Sequence, residues 1–470
     1  MFEKLGNLIT RRSKAVFLLS IILVLTFGTL GTQVFARFDS GGYSDPNSDS
    51  AKVFEYLDET FGVKDPAVVL TLESKTSVDD EATVAAATAL EAKLRSEVSS
   101  ESVISYWSAG FNPAFKSTDG TAAYIFVYLK SEDFTEIDKL GGYYQEEYEG
   151  TFQDQRIRVA GGAVFANSIN GRIQDDLKIS EAISIPLTFI FLVLVFGALT
   201  ASAMPLVIGV TAILGTFFGL YLLTLVTDVS IFALNLTTGL GLGLGIDYAL
   251  LIVNRFREEL HRGVDRVNAI KNTMKSAGKT VFYSGLTVVV TLASLTFFPM
   301  NFLKSMGYAG AIVVALAVVG ALIPLPALLM MLGEKVNKGV VRRNAITPKT
   351  DGGWAKLARF VMRRPIPVAL VSIAILTVMI APISNVKFSQ VDSRVLPKSD
   401  PAYQASAFIE EKFPGQESNP IEIIFPQGAG KEFAVAEYAR NLSQVPGIVR
   451  VGIPEVKGEA VRLIAIHEMA

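Results

Sequence analysis

The chain has 470 residues, half of them hydrophobic and only 19% charged, with a mean hydropathy of +0.40. That balance excludes an ordinary soluble domain, where about a quarter of residues are charged. The net charge of −2 conceals a strong asymmetry, and the lack of cysteine excludes a disulfide framework or a thiolate metal site.

The apolar residues gather in runs of about twenty, the length that crosses a ~30 Å hydrocarbon core. Taken in chain order, span 1 lies near Ala15–Ala36, span 2 near Ile183–Leu199 and span 3 near Met204–Val226. Span 4 lies near Ser230–Val253, span 5 near Val281–Phe298, span 6 near Gly307–Leu332 and span 7 near Ile366–Ile383. Span 1 also reads as a cleavable leader ending near Val34-Phe35-Ala36, but its apolar core is longer than a leader needs.

Basic residues set the orientation. Lys4, Arg11, Arg12 and Lys14 precede span 1. Arg255, Arg257, Arg262, Arg266, Lys271, Lys275 and Lys279 follow span 4, and a run from Lys335 to Arg364 follows span 6. A cytoplasmic N-terminus puts all three groups on one side and leaves only Lys304 in the short outer turns. The segments after spans 1 and 7 then lie outside, across a bacterial inner membrane.

Between spans 1 and 2, Ala67–Leu72, Val103–Trp107, Ala122–Leu129 and Arg156–Ala160 read as strands, and Asp79–Val98 and Glu132–Tyr148 as helices. This βαββαβ order predicts a small α+β sandwich of ferredoxin-like type. After span 7 a similar order begins: strand Ile421–Phe425, helix Lys431–Leu442, strands Ile448–Val451 and Ala460–Ile466. The fold class is therefore a polytopic α-helical membrane protein with α+β extracytoplasmic domains.

The two segments belong to an internal repeat. Arg363 follows Arg11, and Phe413 follows Phe61, by the same 352 positions. Ser44-Asp45-Pro46 is matched by Ser399-Asp400-Pro401, and Glu59-Thr60-Phe61-Gly62 by Glu411-Lys412-Phe413-Pro414-Gly415. A fixed offset of this kind marks transporters built from two parallel halves. The second half stops early, so a fragment of a twelve-span protein is expected. The organisation expected is residues 1–36 for the N-terminus and span 1, 37–179 for the first outer domain and 180–332 for spans 2–6. A basic loop at 333–365, span 7 at 366–384 and an incomplete second outer domain at 385–470 complete it.

Span 4 carries the chemistry. Its string Gly239-Leu-Gly241-Leu-Gly243-Leu-Gly245-Ile-Asp247-Tyr248 holds the only acidic residue within any span. A carboxylate at that depth costs about 2.5–3.5 kcal/mol on insertion scales, which marks it as functional. A carboxyl there can take a proton from one side and release it to the other, with Tyr248 as a hydrogen-bond donor. A structural bond between helices, or a position at the interface in reach of water, is the plainer alternative. Gly239/Gly243 and Gly241/Gly245 form two overlapping small-residue pairs that allow close helix contact and ease bending. Ser284 and Thr287 of span 5 are candidates to hydrogen-bond Asp247, or else turn back onto their own helix.

Other patterns carry no site. Gly241-x-Gly243-x-Gly245 lacks the dinucleotide spacing, and Gly278-Lys279-Thr280 lacks the first glycine of a phosphate loop, where Thr273 stands. His261 and His467 are isolated, so no metal, cofactor or enzymatic chemistry is expected. The basic loops are explained by topology and call for no nucleic acid.

The Gly-Leu-Gly-Leu-Gly-Ile-Asp-Tyr string, the Asn254-Arg-Phe-Arg-Glu-Glu259 that follows and the Gly42–Ala51 segment resemble the MmpL family of the resistance-nodulation-division superfamily. The resemblance extends to the order of spans and outer domains. It implies proton-motive-force-driven export of lipids or other hydrophobic cargo, with membrane lipids as surroundings and self-association left open. It further implies that Asp247 and Tyr248 form half of a proton relay, faced by a second Asp-Tyr pair from the other half, and that Ser284 sits beside it. That second pair lies beyond this chain, so transport by this chain alone is not expected. A protein-export accessory similar to SecD/SecF and a sterol-sensing-type regulator are the competing readings.

Overall fold

A computed structural model describes residues 1–39, 41–42, 45, 47–131, 133–341, 352–386, 392–413 and 420–467. Ser44, Pro46, Pro414 and Gly415 of the repeat, and Arg342, Arg343 and Lys349 of the basic loop, lie outside the described residues.

The chain opens with a short amphipathic helix, α1 (Phe2–Arg11), separate from the first apolar helix α2 (Ser13–Gly31). Helix α3 (Asp49–Phe61) starts at a Ser48 N-cap and ends at left-handed Gly62. The first domain follows: β1 (Val68–Glu73), α4 (Glu81–Ser96), β2 (Ser100–Ser105), β3 (Ala122–Leu129), α5 (Phe134–Tyr148), β4 (Gly150–Phe152) and β5 (Gln155–Ala160). Its sheet runs β2-β3-β1-β5-β4, every neighbouring pair antiparallel. Without β4 this is the strand order of a ferredoxin-like sandwich. Leu70, Leu72, Ile125, Val127 and Ile157 alternate inward and meet Leu90 and Leu94 of α4 and Tyr144 of α5.

Helix α6 (Gly162–Phe196) leaves this sheet and runs on unbroken as the second apolar helix. Next come α7 (Leu199–Leu223), α8 (Ala233–His261), α9 (Arg266–Thr273) and α10 (Lys279–Ala293), the last two joined by a π turn at Met274–Gly278. Helix α11 (Asn301–Leu322) and the short α12 (Pro324–Leu332) are broken at Ile323, where the following Pro324 cannot continue the ladder. Helix α11 is the centre of the bundle, packed against α7, α8 and α10, while α2 packs against α7 and α12. Phe27 stacks on Phe218 there at 4.6 Å.

The second repeat opens with α13 (Gly353–Arg363) and α14 (Pro365–Ile380), the seventh helix long and apolar enough to cross a membrane. After α15 (Pro401–Lys412) come β6 (Ile421–Phe425), α16 (Glu432–Leu442), β7 (Ile448–Val451), β8 (Glu455–Lys457) and β9 (Ala460–His467). This sheet runs β6-β9-β7, with β8 folded back on β9. The order reproduces β1-β3-β2 of the first sheet.

The two leading helices are exchanged. Phe408 and Phe413, on and just beyond α15, pack on Ala122 and Tyr124 of the first sheet, where Phe413 stacks on Tyr124 at 4.0 Å. Lys412 pairs with Asp119 at 2.5 Å, and its carbonyl accepts the Thr118 N–H at 3.1 Å. Conversely Leu57 and Phe61 of α3 pack on Ala460 and Ile424 of the second sheet.

Candidate functional site

Four glycines in seven residues would weaken a helix in water by about 1 kcal/mol each. Helix α8 nevertheless runs straight through them, because backbone groups in hydrocarbon have no competing partner. The two glycine pairs divide their roles. A Cβ on Gly245 would sit 2.7 Å from the Gly209 Cα, and one on Gly241 would sit 2.6 Å from Ile213 Cγ1. Here α7 and α8 touch backbone to backbone. A Cβ on Gly239 or Gly243 would meet nothing within 4 Å. The close contact expected on both faces therefore forms on one, with the other left open among the described residues.

Asp247 lies midway along α8, on the open side. With Gly239, Gly243, Leu251 and Asn254 it makes an exposed line down the helix. Its neighbour Tyr248 turns into the bundle and is only 3% exposed. The phenol oxygen has no hydrogen bond of ordinary geometry, although Ser284 and Asp247 are the polar groups that act on it. It lies 3.6 Å from where a Gly285 Cβ would stand. The structure thus brings Tyr248 to Ser284. Thr287 does not reach Asp247: its hydroxyl donates to the Tyr283 carbonyl of its own helix at 2.9 Å.

At the basic end, Arg257 does more than orient the chain, the one role its sequence position suggests. It is buried, its Nε donates to Asn337 Oδ1 at 2.8 Å, and its Nη1 donates to the Phe196 carbonyl at 2.9 Å. The guanidinium therefore covers the C-terminus of α6, where free carbonyls favour a cation. The helical repeat holds the signal, since Arg257 follows the buried Val253 by four residues. Beside it Glu259 accepts from Arg255 at 2.6 Å and from Asn272 at 2.7 Å, tying α8 to α9.

In the domains, charge lies where the sheets meet. The Lys412 ammonium, then Thr121 and Ser117, hold the Asp119 carboxyl well below the usual carboxylate range. Burial and then the neighbouring Glu422 push Asp65 up, partly offset by Arg462. Arg462 itself grips Glu422 with two bonds of 2.7 and 2.8 Å.

A chain with this bundle and these two sheets has relatives. Residues 42–368 match the model of the MMPL family. A Streptomyces coelicolor membrane protein, SCO6666, is 36% identical over 91% of this chain and 60% of its own length. The trehalose monomycolate exporter MmpL3 of Mycolicibacterium smegmatis is 31% identical over 69% of this chain and 35% of its own. The mycolic acid-containing lipids exporter MmpL11 of the same organism is 27% identical over 97% of this chain and 49% of its own. The chain thus spans between about a third and three-fifths of the length of these relatives. With seven membrane-length helices and two α+β domains among its described residues, and a family match over most of its length, the chain belongs to the MMPL family.

Proposed function

We propose that this chain forms one half of a proton-driven exporter that moves lipids or similar hydrophobic molecules out of the inner membrane. Asp247 and Tyr248 act as its share of the proton relay. The observation that carries the reading is the carboxylate inside the apolar stretch of α8, about two turns before Asn254, on a face that its own bundle leaves open. Facing lipid there, it would cost about 2.5–3.5 kcal/mol. In the working protein that face is therefore covered by further protein and water, as a proton site requires. The lipid-export names of two relatives, MmpL3 and MmpL11, support the cargo class. The basic residues at the ends of α1, α8 and α14 support a cytoplasmic N-terminus with both domains outside.

A proton falling through ~100 mV supplies about 2.3 kcal/mol. Protonation removes the charge on Asp247 and so changes what can pack against its stripe. Arg257, ten residues further along the same helix, grips the end of α6, and α6 continues into the first domain. Movement of α8 has a direct path to the sheets. The test replaces Asp247 with Asn in the protein as the cell makes it and measures lipid export in energised cells. Export should fall by at least about tenfold. Wild-type export by Asp247→Asn would remove the relay role.

A further inference from the structure

The surface of α10 divides into three sectors. Val281 and Gly285 are buried, and Val288, Val289 and Leu292 pack with them into the bundle. Leu286 and Val290 form an exposed apolar sector. The third sector is a row of hydroxyls. Thr280, Ser284, Thr287 and Thr291 fall within an arc of about 60° at 3.6 residues per turn. Ser276 extends the row at one end and Ser294 at the other, and all six residues are exposed. The row is about 27 Å long: Ser276 and Thr280 lie at the basic border beside Lys275 and Lys279, and Ser284 to Ser294 cover about 15 Å of the ~30 Å hydrocarbon core.

Five of these hydroxyls donate to carbonyls of their own helix. Ser276 bonds Asn272 at 2.8 Å, Thr280 bonds Ser276 at 3.4 Å and Thr287 bonds Tyr283 at 2.9 Å. Thr291 bonds Thr287 at 2.9 Å and Ser294 bonds Thr291 at 2.7 Å. The hydrogens are thereby committed, and the oxygen lone pairs face outward as acceptors. A lipid-facing helix gains nothing from such a row, whereas water can donate to it at every turn. A second observation points the same way. The Tyr248 phenol is more than nine-tenths buried, has no ordinary hydrogen bond, and is directed at α10 beside Ser284. A water held there would satisfy it.

We propose that the hydroxyl face of α10 guides a file of water across the membrane to Asp247, with the Tyr248 phenol fixing the water nearest the acid. The proposal rests on Asp247 being the proton carrier and names the path that feeds it. A hydronium in the file loses an O–H bond as one forms on the Asp247 carboxylate. Release is the reverse step, onto water on the opposite side. The Ser and Thr hydroxyls surrender no proton; they orient the water, and are positioning residues.

The experiment uses the intact protein in lipid vesicles, with proton entry after an imposed pH step followed by a trapped fluorescent dye. Thr287→Val and Thr291→Val keep the shape and remove the hydroxyl. Each should slow proton entry by roughly threefold or more, about what one lost hydrogen bond to water gives. Thr287→Ser and Thr291→Ser should restore it. Asp247→Asn should block entry in every background. Valine variants that conduct at the wild-type rate, while Asp247→Asn is blocked, overturn the water file and leave the relay intact. Equal slowing by valine and serine also overturns it, because shape rather than the hydroxyl would then matter. Free conduction by Asp247→Asn overturns the relay itself. Ser276→Ala and Ser294→Ala, at the ends of the row, give the same readout should a valine variant fail to fold.

Discussion

The opening elements of the two repeats have similar sequences and different surroundings. Helix α1 buries Gly6 and Ile9, sets Phe2 edge-on against Phe282 at 5.7 Å and pairs Glu3 with Lys275 at 3.4 Å. Its counterpart α13 exposes Leu357, Phe360 and Val361. Helix α2 packs along α7, whereas α14 buries none of its residues. Yet the third pair, α3 and α15, is docked in both repeats. An amphipathic helix therefore specifies which face to bury but not against what. The bundle of α6 to α12 supplies that surface to the first repeat, and only the sheets supply it to both.

The largest test of this comparison is at the exchanged helices. Phe413→Ala removes the ring stacked on Tyr124 and should destabilise the pair of domains by about 3 kcal/mol. Phe61→Ala, its partner in the repeat, should do the same within about 1 kcal/mol. Thermal midpoints of the purified protein in detergent read both. No shift for either would mean that the helices are not exchanged in solution. A smaller effect separates α1 from α13: Leu5→Ala should cost about 1 kcal/mol and the equivalent Leu357→Ala less than about 0.5 kcal/mol. Equal losses would show that α13 is docked as well.

The smallest effect is electrostatic. Asp119 has a depressed pKa in the fold, so its contribution is complete above the ordinary aspartate value of 3.8 and fades as pH falls below it. Lys412 is raised, so its share is lost only as pH climbs through that elevated value. Docking of α15 should be constant from mildly acidic to neutral pH and weaken in strong acid. Asp119→Asn should flatten that acid response, with cross-linking between residues 118 and 412 as the readout.

Much of this is legible from residues alone. The alternation in β3 and the Ala-rich run of α4 match their elements closely because one face of each is buried on the core. Strand β4 escapes the sequence pattern: it is three residues long, and its turn uses Gln153 and Asp154 at positive φ rather than the usual Asn-Gly. Helix α1 is hidden by the basic run that ends it. The exchange of α3 and α15 cannot be read, since nothing in either helix says which sheet it will meet. Asp247 announces itself as a lone acid in an apolar run, but its open face emerges only once Gly241 and Gly245 are seen to occupy the packed side.

Helix α6 has a mechanical consequence. Its 35 residues span about 52 Å, against a hydrocarbon core of ~30 Å, so some 20 Å of it projects into the first domain. With the Phe196 end pinned by Arg257, the helix is a lever whose fulcrum lies at the membrane's basic border. A tilt of about 5° there displaces the far end by about 4–5 Å. A small change of angle at the Phe196 end is thereby magnified at the end that joins the first sheet.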